Sequence, residues 1–120
     1  MPREIDRKLS LTAAAIGAYS RKDLAGAFHA VNPATRFDIG RAHKWLQGRA
    51  VPRSGDIYAD WVAVLGLDRT ADWLAECSAD ELLQELSRRP DLDAGTLQRR
   101  AQGFLRSAPA GAGSADDVQG

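Results

Sequence analysis

Signals that open and close helices recur along this chain at short intervals, whereas signals for strands are nearly absent, and that imbalance restricts the fold more than any other feature. No Asn-Gly or Asp-Gly hairpin turn occurs, and few stretches alternate with the period of two that a half-buried strand needs. Apolar residues return instead every three or four positions. The spacing predicts seven short helices. The first covers about Ile5 to Ala18, with Ile5, Leu9, Ala13 and Ile16 on one buried face. Ser20 caps a second, Arg21 to Ala30, that turns Leu24, Ala25 and Phe28 inward until Asn32-Pro33 stops it, because proline disfavours helical geometry in the residue before it.

Asp38 caps a third helix, Ile39 to Gln47, closed by Gly48. After the turn Pro52-Arg53-Ser54-Gly55, a fourth runs from about Asp56 to Leu65, with Ile57, Tyr58, Trp61, Val62 and Leu65 on its apolar face and Gly66 at its end. Thr70 to Glu76 forms a fifth. The Ser78-Ala79-Asp80-Glu81 capping box opens a sixth with Leu82, Leu83 and Leu86 inward, and Asp93 caps a seventh from Ala94 to Arg106 carrying Leu97, Ala101, Phe104 and Leu105. The expected architecture is an all-α compact bundle of five to seven short helices.

A chain of 120 residues has room for one domain and a tail. We read residues 1–67 as the core, 68–106 as C-terminal helices that complete it or form a dimer face, and 107–120, rich in Ala, Gly, Ser and Asp without an apolar period, as a tail. Cys77 is the only cysteine, which excludes an internal disulfide and a thiolate cluster for zinc or iron–sulfur and fits a reducing compartment. The N-terminal Met1 to Lys8 lacks the apolar run of a signal peptide, and no run of about 18 apolar residues occurs anywhere. The expectation is a cytoplasmic protein with no membrane partner.

The formal net charge of zero conceals a division along the chain. Residues 1–53 hold 10 Lys/Arg against 4 acids, a net +6, and residues 54–120 hold 6 against 12, a net −6. A basic half attracts a polyanion and an acidic half keeps other surfaces away from it, which is the footprint of a duplex binder. The third helix concentrates that charge. Ala42, Trp45 and Leu46 fall three or four apart and face the core, leaving Gly40, Arg41, His43, Lys44 and Gln47 outside. Arg41 suits the paired acceptors of guanine, Lys44 a base or a phosphate, and Gly40 removes bulk where the helix start would meet a groove.

Leu24-Ala25 in the second helix, Trp45, Gly48, Arg49 and Pro52 around the end of the third, and Leu65-Gly66-Leu67 after the fourth resemble the pattern of the Cro/lambda-repressor-like helix-turn-helix family, the XRE family, over residues 9 to 67. The resemblance implies a lambda-repressor-like core and a sequence-specific transcriptional regulator that binds double-stranded DNA, commonly as a homodimer. It also implies that Ile39, Gly40, Arg41, His43 and Lys44 face bases and that Arg21, Lys22, Arg49 and Arg53 touch phosphates. The connection from the second helix to the third departs from the family. Ala30 to Phe37 stands where a turn of about four residues is usual. That length is the feature favouring an alternative, a protein-interaction adaptor on the same fold that binds a partner protein.

Other chemistries have little to rest on. Trp45, Trp61 and Trp73 sit at helical spacing and read as core anchors, and His29 as structural. Asp68, Asp72, Glu76, Asp80, Glu81 and Glu85 read as a solvated helical face rather than a metal site. Neither a Walker lysine pattern nor GxGxxG is present, and no nucleophile motif surrounds Cys77 or the histidines, so the chain is expected to be neither an enzyme nor a cofactor binder.

Overall fold

A computed structural model describes residues 3–110 of the chain, and side chains to residue 106. Seven helices and no strand are found among the described residues: α1 (Ile5–Ile16), α2 (Arg21–Val31), α3 (Ile39–Leu46), α4 (Gly55–Leu65), α5 (Ala71–Glu76), α6 (Ala79–Ser87) and α7 (Ala94–Ala110). The caps act as their residue types require. Side chains of Ser20, Asp38, Thr70 and Ser78 accept from the backbone N–H of Asp23, Arg41, Trp73 and Glu81, and the box at Ser78 is complete because the Glu81 carboxylate reaches back to the Ser78 N–H. Ser54, within the expected turn, caps α4 and starts it at Gly55. Gly17 and Gly66 close α1 and α4 in the left-handed conformation. Helix α7 continues to Ala110, past the expected end at Arg106, and residues 111–120 of the expected tail lie outside the described residues.

One hydrophobic core runs from Ile5 on α1 to Phe104 on α7. Helix α1 is its hub, packed against α3, α4, α6 and α7, while α2 lies on α3 and α4, α5 on α4, and α6 on α7. Such a position demands burial on more than one side. Beyond the expected Ile5, Leu9 and Ala13, α1 buries Leu11 and Ala14 and also the polar Lys8, Ser10 and Thr12. Thr12 Oγ1 donates to the Lys8 carbonyl at 2.8 Å and accepts from Trp61 Nε1 at 2.6 Å, so both hydroxyl functions are satisfied inside the core.

Lys8 is fully buried, and its seat is built from the far end of another helix. Its Nζ donates to the carbonyls of Leu74 at 2.6 Å, Ala75 at 3.0 Å and Cys77 at 2.9 Å, groups left without helical partners where α5 stops. Three acceptors match the three donors of an ammonium. Burial lowers the Lys8 pKa from its ordinary value while Cys77 and Glu4 oppose the shift, and burial raises the Cys77 thiol while Lys8 opposes it. The fixed charge counted at Lys8 in the basic half is thus withdrawn from the surface.

The tryptophans divide. Trp61 is fully buried and Trp45 nearly so, but Trp73 is only half-buried at the edge of the core, with the Arg69 guanidinium 4.8 Å above its ring. Arg69 is held there by Glu85, to which it donates at 3.0 Å.

Candidate nucleic-acid interface

The long connection before α3 is anchored at three points. Asn32 turns the chain, its side-chain oxygen accepting from Ala34 N and its carbonyl from Thr35 N. Asp60, a buried carboxylate on α4, then accepts from Asn32 Nδ2 at 3.0 Å and from Thr35 Oγ1 at 2.6 Å, tying the loop to α4. Finally Phe37 enters the core, stacked on Phe28 of α2 with ring centroids 4.0 Å apart and edge-on to Trp45 of α3 at 5.6 Å. The His29 ring meets the Phe37 carbonyl at 3.1 Å, the structural part expected of it. Extra length therefore brings extra anchors.

Helix α3 meets the core through Ala42 and Trp45, both buried, with Leu46 half-buried against it. Of the residues expected to face bases, Ile39, Gly40, Arg41 and Lys44 are exposed and His43 is half-buried. Ile39 leaves 46% of its surface in water, a large apolar side chain at the mouth of the helix. A Cβ on Gly40 would meet only Asp38 Oδ1 at 3.4 Å, an ordinary contact, so packing inside the protein does not require glycine there. Arg41 is partly held, donating to the Arg36 carbonyl at 2.9 Å and lying 3.5 Å from the Asp38 carboxylate.

Of the residues expected to touch phosphate, Lys22, Arg49 and Arg53 are exposed and Arg21 is half-buried. Arg21 and His43 meet: a guanidinium N–H donates to His43 Nδ1, which joins the start of α2 to the middle of α3. Arg49 instead turns to Gln47, donating at 2.9 Å.

A second grouping was not foreseen. Arg41, Lys44 and Arg53 line one concavity of 290 Å³ together with Arg36, a cation from the connection that the helical pattern does not single out. Trp45 and Ile57 form apolar parts of its lining, and the wall running from Ala50 to Ser54 is held by Tyr58, whose hydroxyl donates to the Pro52 carbonyl at 2.7 Å. Burial pushes the Tyr58 phenol up to about 12. No acid lines this concavity, and among the described residues no carboxylate lies within ion-pair distance of Arg36, Lys44 or Arg53. Asp56 and Asp60 line a neighbouring hollow on the other side of Arg36.

Cys77 Sγ lies within reach of the Leu74 carbonyl and of Lys8 Nζ, whereas the histidines engage Phe37 and Arg21, so no cysteine–histidine pair forms. Among the described residues no group of three or more potential metal ligands occurs, and no helix is long and apolar enough to cross a membrane. No protein-family model matches the chain, and comparisons with curated proteins and with solved structures give no match.

Proposed function

We propose that this protein is a sequence-specific transcriptional regulator that binds double-stranded DNA, with α3 entering the major groove and the cations beside it on the backbone, acting in the cytoplasm as a homodimer. The observation that carries the proposal is the outer face of α3: Ile39, Gly40, Arg41 and Lys44 stand exposed on a helix whose opposite side is locked to the core by Ala42 and Trp45. A helix held on one side and polar on the other suits groove reading, since contacts to base edges need a fixed register. Exposed Ile39 offers an apolar surface to a thymine methyl group, and Arg41 two donors to a guanine. Lys22, Arg49 and Arg53 flank them as phosphate contacts, with Arg21 positioning His43.

Affinity for duplex fragments selected from a genomic pool, measured against salt, tests this reading. Arg41→Ala is expected to cost about 1–3 kcal/mol on a selected site and to relax preference at one position, and Arg53→Ala to weaken all sequences alike and lower the salt slope by about 1. A wild-type protein that binds no duplex at low salt overturns the reading. Capture of a protein from nuclease-treated extract by the same face, with no duplex bound, identifies the adaptor function in its place.

A further inference from the structure

We propose that the concavity between α3 and α4 is a binding site for a small phosphate monoester, a free ligand rather than the duplex backbone. The proposal goes beyond the DNA reading and does not rest on it. Its first support is charge. Arg36, Arg41, Lys44 and Arg53 come from the α2–α3 connection, from α3 and from the α3–α4 connection to line one hollow that no acid enters. Bringing four like charges together, of which only Arg41 is offset by a carboxylate (Asp38), raises the energy of the empty site, and a dianion lowers it. A terminal phosphate monoester carries roughly −1.5 to −2 charges at neutral pH, against a single charge on each backbone phosphodiester, and its oxygens match the forked donors of arginine.

The second support is shape and lining. At 290 Å³ the hollow falls just below the size of small-molecule sites, which begin at about 300 Å³, and suits a small ligand. Val51, which leaves 44% of its surface in water, adds an apolar edge beside the cations, and the buried Trp45, Pro52 and Ile57 close the floor behind it. Together the cations and the apolar edge describe a phosphate joined to a compact apolar or planar body.

Phenyl phosphate is a suitable probe, titrated without DNA into the full chain at low salt and followed by amide resonances and by the Trp45 indole signal. The expected result is a saturable shift confined to residues lining the hollow, at least tenfold tighter than for inorganic phosphate, and weakened about tenfold by Arg53→Gln and by Arg36→Gln. Both residues are exposed, so neither variant endangers the fold. No saturable shift, a shift untouched by both variants, or equal affinity for phenyl phosphate and inorganic phosphate overturns the proposal. Duplex binding that persists where phenyl phosphate fails assigns the cations to the DNA backbone alone and leaves the DNA reading standing. Phenyl phosphate binding without duplex binding removes the DNA reading and keeps this one.

Discussion

Lys8 and the Arg36, Arg41, Lys44 and Arg53 group belong to the same basic half of the sequence, yet they sit at opposite extremes of how a protein treats a positive charge. Lys8 is sealed in the core with every donor matched to a carbonyl at the end of α5. The four cations beside α3 stay at the surface around a hollow that no acid lines, and of them only Arg41 has a carboxylate, Asp38, within ion-pair distance. A charge with its partners inside the fold contributes to stability, and one without them is available to something outside. The position of the partners, more than the count of cations, separates scaffold from site.

Three substitutions sharpen that contrast or break it. Lys8→Met keeps most of the side-chain volume but strands carbonyls at the end of α5, and since each buried unsatisfied group costs about 1–3 kcal/mol, urea unfolding is expected to register a loss of about 3 kcal/mol. The same variant should leave the salt dependence of duplex binding unchanged. If that dependence falls with Lys8→Met, Lys8 does not belong to the scaffold. Tyr58→Phe comes next, at about 1–2 kcal/mol, because it leaves the buried Pro52 carbonyl without its donor. Its signature lies in pH: the folded-state phenol is raised from 10.0 to about 12, so its contribution is complete below pH 10 and is lost as pH rises from 10 towards 12. Unfolding curves of the variant should lack that alkaline limb, and an identical limb in both proteins would refute the assignment. The smallest effect belongs to Arg36→Gln, with stability within about 0.5 kcal/mol of the parent protein by thermal unfolding. A larger loss would mean that Arg36 has a structural partner.

Most of the fold is legible in the sequence because its signals are local. Ser20, Asp38, Ser78 and Asp93 hydrogen-bond to backbone N–H groups a few residues on, and the inward face of α2 follows from spacing alone, whereas α4 also buries Asp60 and leaves Val62 half-buried. Lys8 was not legible. Its acceptors lie 66 to 69 residues away, and nothing near it distinguishes it from Arg7, which is exposed and paired with Glu4. Its one available signal is position, between Ile5 and Thr12 on a helix that must face several neighbours. Arg36 was missed for a related reason: it stands in a connection, where no period assigns a side, and it joins the hollow only because Asp60 and Phe37 fix the loop. Conversely, the exposure of Arg41 and Lys44 is legible because the apolar side of α3 determines the polar one.

Placing α1 at the hub also sets the order in which the molecule can be completed. Helix α1 packs on α3, α4 and α6, but its most extensive partner is α7, whose residues begin at Ala94. Contacts of that sequence separation form slowly and only after most of the chain is available. The Ala14 end of α1, whose carbonyl accepts from Arg100 of α7, therefore stays uncovered until α7 docks, so that docking is a late step in closing the core.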